Sequence, residues 1–241
     1  MRILLINPNT LPSVTDLVAA HVRRVAGEAA EFVPVTGRFG ARYIASRAAS
    51  AIAGHAALDA MAENVAGCDA VYLACFGDPG LAALREISPV PVVGMAEASC
   101  RAACAGGGRF AIVTGGVLWG PMLTEFVAWL GLSDRLACVR TIAPTGDIIA
   151  HDPEAALDKL ALSCVQCAEA GADVVILGGA ALAGLAARIQ PRVPVPVICS
   201  VEAGTRAVLT AAAERPPARD AAPSLESLGL GPALADLLSR G

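Results

Sequence analysis

Hydrophobic residues are arranged in two kinds of segment along this chain: short apolar runs, and longer alanine-rich stretches whose apolar positions recur with the period of a helix. The short runs predict strands at residues 2–6, 30–34, 70–74, 92–94, 110–113, 137–141, 174–177 and 197–199. The longer stretches predict helices at residues 13–26, 46–65, 79–87, 96–105, 121–130, 153–170, 182–189 and 202–214. This alternation is typical of βαβ units, so we expect an α/β fold with mostly parallel sheets flanked by helices.

An internal repeat divides the chain. CDAVYLACFGDPGLAALRE (68–86) resembles GADVVILGGAALAGLAARI (171–189), and PVPVVGMAEA (89–98) resembles PVPVICSVEA (194–203). The first alignment pairs Cys75 with Gly179. The duplication predicts two pseudosymmetric lobes with the active site in the cleft between them. We expect residues 1–96 and 200–241 to form the first lobe and residues 97–199 to form the second, with a linker at 216–224 and a terminal helix packed on the first lobe.

Composition and charge argue against several classes of function. The net charge of −4, without any cluster of lysine or arginine, argues against nucleic-acid binding. The amino-terminal MRILLINPNT is a strand followed by turn residues, and no apolar run reaches the ~20 residues of a membrane span. The eight cysteines lie mostly in apolar patterns, as reduced thiols do. We therefore expect a cytoplasmic protein with no membrane partner.

Four loops follow predicted strands and are candidates for the binding site: residues 7–10, 75–78, 114–116 and 178–180. Ligands of open parallel sheets lie beyond the carboxyl ends of the strands. Backbone N–H groups and helix N-termini in such loops can receive a carboxylate or carbonyl oxygen. The alternative is that Asn, Pro, Thr and Gly only form turns there. That alternative is favoured for residues 7–10 alone, whereas the paired arrangement of the loops favours a site.

Cys75 lies at the end of a predicted strand and is the strongest candidate for a catalytic residue. A helix beginning at Pro79, with Asp78 as its cap, would stabilise a thiolate and lower the cysteine pKa below about 8.5. A thiolate at that position is a competent base, and its thiol a competent acid. The alternative is a small buried hydrophobic residue. Four other cysteines have the spacing of residues on one face of a helix: Cys100, Cys104, Cys164 and Cys167. They are not accompanied by a set of four metal ligands, so we expect no zinc site.

The remaining polar side chains give weaker signals. Tyr43 and Arg47 either enter the cleft or serve as helix-start packing and a surface charge. Glu97 and Glu202 occupy matching repeat positions, and helix capping is favoured over pairing across the lobes. Three histidines are predicted to be surface or capping residues: His21, His55 and His151. Neither a GxGxxG turn after a strand nor a GxxxxGK[ST] loop is present, so no nucleotide cofactor is indicated.

Five segments together resemble the Asp/Glu/hydantoin racemase superfamily, especially its hydantoin and allantoin racemase branch. They are LLINPNT (4–10), ACFGDPGL (74–81), PVVGMAEA (91–98), VTGGVLWGPML (113–123) and ADVVILGGAALAG (172–184). The resemblance implies a racemase without cofactor or metal, acting on a small carbonyl or carboxylate substrate in the cleft, and assembling as a homo-oligomer. One cysteine would remove the acidic proton next to a carbonyl, and a second would deliver a proton to the opposite face.

By this resemblance Cys75 is one of the two acid–base residues. The residues expected to bind substrate are Asn9, Thr10, Tyr43, Arg47, Phe76, Gly77, Thr114, Gly115, Gly179 and Ala180. Where the family has its second cysteine this chain has Gly179, which cannot exchange a proton. Three interpretations stay open: a racemase whose second face is served by water or another group, a one-thiol decarboxylase (a lyase) of the arylmalonate type, or a catalytically silent homologue that binds a small molecule.

Overall fold

The computed structural model describes residues 1–143, 152, 154–214 and 226–239. Within them, two four-stranded sheets are formed. The first contains β1 (Arg2–Asn7), β2 (Glu31–Thr36), β3 (Ala70–Leu73) and β4 (Val92–Gly94) in the order β2-β1-β3-β4. The second contains β5 (Phe110–Gly115), β6 (Leu136–Ile142), β7 (Val174–Leu177) and β8 (Val197–Cys199) in the order β6-β5-β7-β8.

Every pair of neighbouring strands is parallel, and the second sheet repeats the strand order of the first. The central strands read as continuous apolar runs because helices cover both faces of such sheets. All residues of β5 and all but the first of β1 are buried. These features confirm the predicted α/β fold of two similar lobes.

Helices connect the strands within each lobe. In the first half of the chain they are α1 (Pro12–Ala26), α2 (Arg47–Asn64), α3 (Leu81–Ile87) and α4 (Met95–Cys104). In the second half they are α5 (Trp119–Trp129), α6 (Glu154–Glu169), α7 (Leu185–Ile189) and α8 (Ser200–Glu214). A final helix, α9 (Pro232–Ser239), packs against α2. No helix of the described residues is long and apolar enough to cross a membrane.

The helix after β3 differs from the prediction. It begins at Leu81 and not at Pro79, because Asp78 has φ 48° and Gly80 has φ 77°, both outside the helical region. Asp78 therefore does not cap this helix. Its carboxylate accepts hydrogen bonds from the backbone N–H groups of Ala96 and Glu97, each at 2.8 Å, and so caps α4.

The helix after β7 is also shorter than predicted. A 3₁₀ turn over Ala180–Leu182 is followed by Gly184 in the left-handed region, with φ 82°, before α7 begins. Two other predictions, the linker at 216–224 and a surface or capping role for His151, lie outside the described residues.

Helix α8 joins the two lobes. It leaves β8 at the edge of the second sheet and packs against α1, α4 and β3 of the first half of the chain. Tyr72 lies under this helix, and its hydroxyl donates to the carbonyl oxygen of Val201 at 3.2 Å. A Cβ at Gly204 would lie 2.3 Å from the Tyr72 hydroxyl, so the close approach requires glycine.

Candidate active site

A cavity of about 50 Å³ lies between the carboxyl ends of the two sheets. The first half of the chain contributes eight lining residues: Asn7, Asn9, Val14, Tyr43, Ile44, Ala74, Cys75 and Phe76. The second half contributes another eight: Thr114, Gly115, Trp119, Gly178, Gly179, Ala180, Ala181 and Leu182. Such a position, beyond the strand ends and between similar halves, is where parallel sheets bind ligands.

Eight of the sequence-predicted site residues lie together around this cavity: Asn9, Tyr43, Cys75, Phe76, Thr114, Gly115, Gly179 and Ala180. Three others lie elsewhere. The N–H of Thr10 donates to the carbonyl oxygen of Ala41 at 3.2 Å, and Arg47 forms an exposed ion pair with Glu125. Gly77 does not line the cavity but packs against the ring of the lining residue Trp119, since a Cβ at Gly77 would lie 2.4 Å from that ring.

Sequence reasoning missed several lining residues. Asn7, Trp119 and Gly178 lie inside the predicted binding loops or family motifs. The sequence therefore indicates their segments, but not that these three residues line the cavity. Other missed residues are apolar and indistinguishable from ordinary core positions in the sequence: Val14, Ile44, Ala74, Ala181 and Leu182.

Cys75 lies two residues beyond the end of β3 and contributes the only thiol among the described lining residues. Burial raises the pKa of its thiol well above the ordinary value, and the nearby Asp78 carboxylate raises this pKa further. The prediction of a lowered pKa was wrong. The expected helix N-terminus is displaced to Leu81, and an acidic side chain lies in the turn instead. The surroundings of Cys75 therefore favour the neutral thiol over the thiolate.

Asp78 is buried beside this thiol and titrates in an unusual range. Burial raises its pKa to about 7, although the two N–H groups at the start of α4 favour the charged form and lower the pKa. The charge next to Cys75 consequently changes near neutral pH.

Asn9 is held rigidly by its neighbours. Its side-chain oxygen accepts hydrogen bonds from Nδ2 of Asn7 at 2.8 Å and from the N–H of Leu11 at 2.9 Å. Asn7 also donates to Oγ1 of Thr15 at 2.9 Å, which ties the turn to α1. Asn7 is thus mainly structural, and Asn9 presents a fixed amide at the cavity.

Gly178 and Gly179 form the opposite wall. A Cβ at Gly178 would lie 2.4 Å from the ring of Phe76, so this aromatic ring packs directly on the glycine backbone. Gly179 has φ 143°, a conformation that residues with side chains rarely adopt. Space is not the constraint there, because a Cβ would meet Leu182 at 3.5 Å and Oγ1 of Thr114 at 3.9 Å.

The segment before α2, which belongs to the first lobe, covers the cavity and contacts the second lobe. The Tyr43 hydroxyl donates to the carbonyl oxygen of Gly115 at 2.8 Å. Next to it, Nε1 of Trp119 donates to the carbonyl oxygen of Ile44 at 3.0 Å. These two hydrogen bonds hold the lobes together at the mouth of the site.

Several backbone N–H groups of the predicted loops are already used inside the protein. The N–H of Gly116 donates to Ile142 at 3.0 Å, and the N–H of Gly179 donates to Oγ of Ser200 at 3.1 Å. Together with the bonded N–H of Thr10, these contacts reduce the backbone donors that the loops offer. Side chains such as Asn9 and Thr114 therefore supply much of the polarity of the cavity.

Two predictions about charged residues outside the cavity were wrong. His21 is buried on α1, because it shares the inward face with Val14, Val18 and Val22. Glu97 and Glu202 neither cap their helices nor pair with one another. Glu97 forms ion pairs with Arg85 and Arg101. Glu202 contacts the His21 ring at 3.2 Å.

His55 is exposed on α2, as predicted, with its ring edge-on to Phe39.

Comparison with known proteins agrees with this architecture. The family model described as Asp/Glu/Hydantoin racemase matches residues 3–208. A hydantoin racemase of Paenarthrobacter aurescens is 33% identical over 210 residues, which cover 86% of this chain and 89% of that protein. The crystal structure of an allantoin racemase from Pseudomonas fluorescens superposes with a TM-score of 0.85 at 29% identity, covering 98% of this chain and 96% of that one.

A more distant structure shares the fold. A liganded variant of arylmalonate decarboxylase gives a TM-score of 0.68 at 20% identity, covering 92% of this chain and 96% of that one.

Proposed function

We propose that this protein racemises a neutral cyclic amide of the hydantoin or allantoin type through Cys75. The chain belongs to the Asp/Glu/hydantoin racemase family and is an enzyme of the racemase class. One observation carries the proposal. Cys75 and Tyr43 are the only ionisable side chains among the described residues that line the cavity, and the Tyr43 hydroxyl is engaged with Gly115. The thiol is then the group able to exchange a proton with a ligand.

The lining favours an uncharged ring over a free amino acid. None of the described lining residues is Lys, Arg or His, so a carboxylate in the cavity would have no cationic partner and would be costly to desolvate. The ring carbonyls of a cyclic diamide need only hydrogen-bond donors. The Asn9 amide is suited to this role because its oxygen is held by Asn7 and Leu11, which leaves Nδ2 as the donor for a ligand.

In the proposed reaction, the neutral Cys75 thiol first gives its proton to water. The resulting thiolate then takes the proton from the carbon next to the ring carbonyl, which leaves an enolate and a neutral thiol. The high pKa of this thiol makes its thiolate a strong base, as a weakly acidic C–H bond requires. A water molecule then protonates the enolate on the opposite face. The resulting hydroxide accepts the thiol proton, which restores the thiolate and completes the cycle.

Thr114 is the residue best placed to hold that water. Its Oγ1 is the polar atom among the three nearest to the position of a side chain at Gly179, at 3.9 Å. The hydroxyl can both donate and accept, so it can orient a water toward the enolate face that the family resemblance assigns to a second cysteine.

The test is proton NMR in D₂O, combined with optical rotation, on single enantiomers of 5-substituted hydantoins and allantoin, with aspartate, glutamate and an arylmalonate as further substrates. We expect the wild-type protein and the matched variant Cys104→Ala to exchange the α-proton and lose optical rotation with a hydantoin or allantoin. The Cys75→Ala variant should lose both. Full activity of Cys75→Ala would overturn the proposal.

The same experiment separates the other interpretations. Exchange with retained rotation would indicate a one-faced catalyst, and CO₂ release from the arylmalonate with a single product enantiomer would indicate a lyase. Saturable stabilisation by a ligand without any solvent exchange would indicate a binding protein.

A further inference from the structure

We propose that His21, Cys199 and Glu202 form a binding site for a divalent cation of the zinc class, outside the cavity. The three residues belong to α1, to the end of β8 and to the first turn of α8. Their ligand atoms all lie within 4.8 Å of one another. The site would link the first-lobe helix α1 to the edge of the second sheet.

Two of the three distances between the ligand atoms are close to those around one shared ion. Nε2 of His21 lies 3.2 Å from Oε1 of Glu202 and 3.9 Å from Sγ of Cys199. Tetrahedral zinc with its usual bond lengths separates a nitrogen from an oxygen ligand by about 3.3 Å, and a nitrogen from a sulfur ligand by about 3.6 Å. The same ring nitrogen faces both partners, as it would if all three atoms pointed at a common centre.

Backbone N–H groups surround the Cys199 sulfur. Burial raises the pKa of the Cys199 thiol, and hydrogen bonds from the backbone N–H groups of Gly184, Glu202 and Val201 act in the opposite direction. In the first lobe, the N–H groups at the repeat positions Ala96 and Glu97 bind the Asp78 carboxylate. The β8–α8 junction thus directs its N–H groups at an acceptor as its counterpart does, and the acceptor is the sulfur of Cys199.

Two arginines compete with a bound ion. Arg24 Nη2 lies 3.0 Å from Nδ1 and 3.3 Å from Nε2 of His21, and 3.8 Å from Oε1 of Glu202. Arg206 lies 3.4 Å from the other Glu202 oxygen. A divalent ion would be neutralised by one thiolate and one carboxylate. It would displace the Arg24 guanidinium, which is two-thirds exposed and free to swing into solvent.

The proposed ion would also bear on the catalytic cavity. Gly184, whose N–H donates to Cys199, follows the 3₁₀ turn Ala180–Leu182 of the cavity wall. Ser200, adjacent to Cys199, holds the N–H of Gly179. Binding at the site would therefore stiffen the glycine wall and the contact between the lobes. We expect it to raise the melting temperature.

The experiment titrates the full chain, first stripped with a chelator, with Zn²⁺ in competition with a chromogenic chelator. A parallel titration with Co²⁺ monitors the near-ultraviolet thiolate-to-cobalt charge-transfer band. We expect one ion per chain, with the charge-transfer band present in the wild-type protein. Cys199→Ser should lose the band, and His21→Gln and Glu202→Gln should each weaken Zn²⁺ binding at least tenfold. The matched variants Cys164→Ser, His55→Gln and Cys75→Ala should bind as the wild type does.

Arg24→Gln gives a test with the opposite sign that alters no buried ligand. Removing the competing cation should tighten Zn²⁺ binding several-fold, whereas an adventitious surface site would not respond. Absence of the charge-transfer band in the folded wild-type protein, its persistence in Cys199→Ser, or unchanged affinity in Arg24→Gln would each overturn the proposal. Circular dichroism of each variant establishes that it is folded.

Discussion

The turn after β3 and the turn after β7 end in the same way but differ in chemistry. Each leads through a left-handed glycine, Gly80 with φ 77° and Gly184 with φ 82°, into a short helix. In the first lobe, residues 75–78 carry a thiol, an aromatic ring and a carboxylate, whereas residues 179–182 are glycine, two alanines and leucine. The two turns share the left-handed glycine before the helix, but the rest of their backbone differs: the first has positive φ at Gly77 and Asp78, and the second has positive φ at Gly179 followed by a 3₁₀ turn.

The helices that follow extend the comparison. Asp78 takes the N–H groups of Ala96 and Glu97 at the start of α4, and Cys199 takes those of Val201 and Glu202 at the start of α8. The unsatisfied donors of a helix N-terminus need an acceptor in both lobes. The first lobe supplies it from the turn after β3, next to Cys75, whereas the second supplies it from β8, away from the cavity. Only the first lobe therefore combines helix capping with the candidate active site.

The largest expected effect is on the thiol of the first lobe. Replacing Cys75 with serine keeps the shape of the side chain but removes a group that can ionise, so proton transfer should slow about 10²–10⁴-fold. The measurement is the initial rate of α-proton exchange in D₂O. Cys104→Ser serves as the matched control and should keep the wild-type rate. A Cys75→Ser variant within a factor of two or so of wild type would assign the chemistry to some other group.

Substitutions at Gly179 of the second lobe test whether its turn accepts a side chain. Gly179→Ala should destabilise the protein by about 1–3 kcal/mol, because φ 143° is unfavourable for a residue with a Cβ. Gly106→Ala is the control, since Gly106 has no neighbour within 4 Å and no positive φ. Urea unfolding measures both. Equal stabilities for the two variants would show that the turn accepts a side chain without cost.

Gly179→Cys should suffer the same strain as Gly179→Ala. If this variant racemises its substrate faster than the wild-type protein does, its stability should still be lower than that of the wild-type protein. A gain of activity without loss of stability would mean that the backbone at this position relaxes freely.

The sequence was sufficient to predict the architecture. Strands β4, β7 and β8 have the predicted bounds, because a buried parallel strand is a short apolar run limited by turn residues on both sides. The loops at the strand ends could be placed for the same reason, since parallel strands bring their carboxyl ends to one edge. Alternation of strands and helices, with the repeat, therefore determined the fold class and the position of the cleft.

What the sequence could not reveal depends on distant contacts. The spacing of Asp78 and Pro79 is that of a helix start, but the positive φ at Asp78 turns its carboxylate toward α4. The pKa of Cys75 is set by burial, which no local motif encodes. His21 and Cys199 lie 178 residues apart in the chain, so only the packing of α1 on the β8 edge brings them together.

A third prediction concerns the charge that only the first-lobe turn possesses. Asp78 binds its proton more tightly in the folded state, with a pKa of about 7 against 3.8 ordinarily. Its contribution to stability is thus present at low pH and lost as pH rises toward and through 7. Between about pH 5 and pH 8 the free energy of unfolding should fall by about 2 kcal/mol from this group. Urea unfolding at both pH values should show a smaller fall in Asp78→Asn.

The control for this prediction is Asp16→Asn, on an exposed position of α1, which should keep the pH dependence of the wild-type protein. If Asp78→Asn also retained the full fall, the pH dependence would have to come from other groups, and Asp78 would be charged throughout this range.

The smallest expected effect is on proton delivery to the second face of the substrate, measured against proton exchange at the first. Thr114→Val keeps the shape of the side chain and removes the hydroxyl proposed to hold the second-face water. Losing a hydrogen bond worth about 1–1.5 kcal/mol should slow inversion about tenfold. Proton exchange at the Cys75 face should continue, so the ratio of exchange to loss of optical rotation should rise. Thr124→Val, whose hydroxyl donates to the carbonyl oxygen of Gly120 on an exposed face of α5, should leave that ratio unchanged. If Thr114→Val slowed exchange and inversion equally, Thr114 would serve substrate binding, and the water on the second face would need another holder.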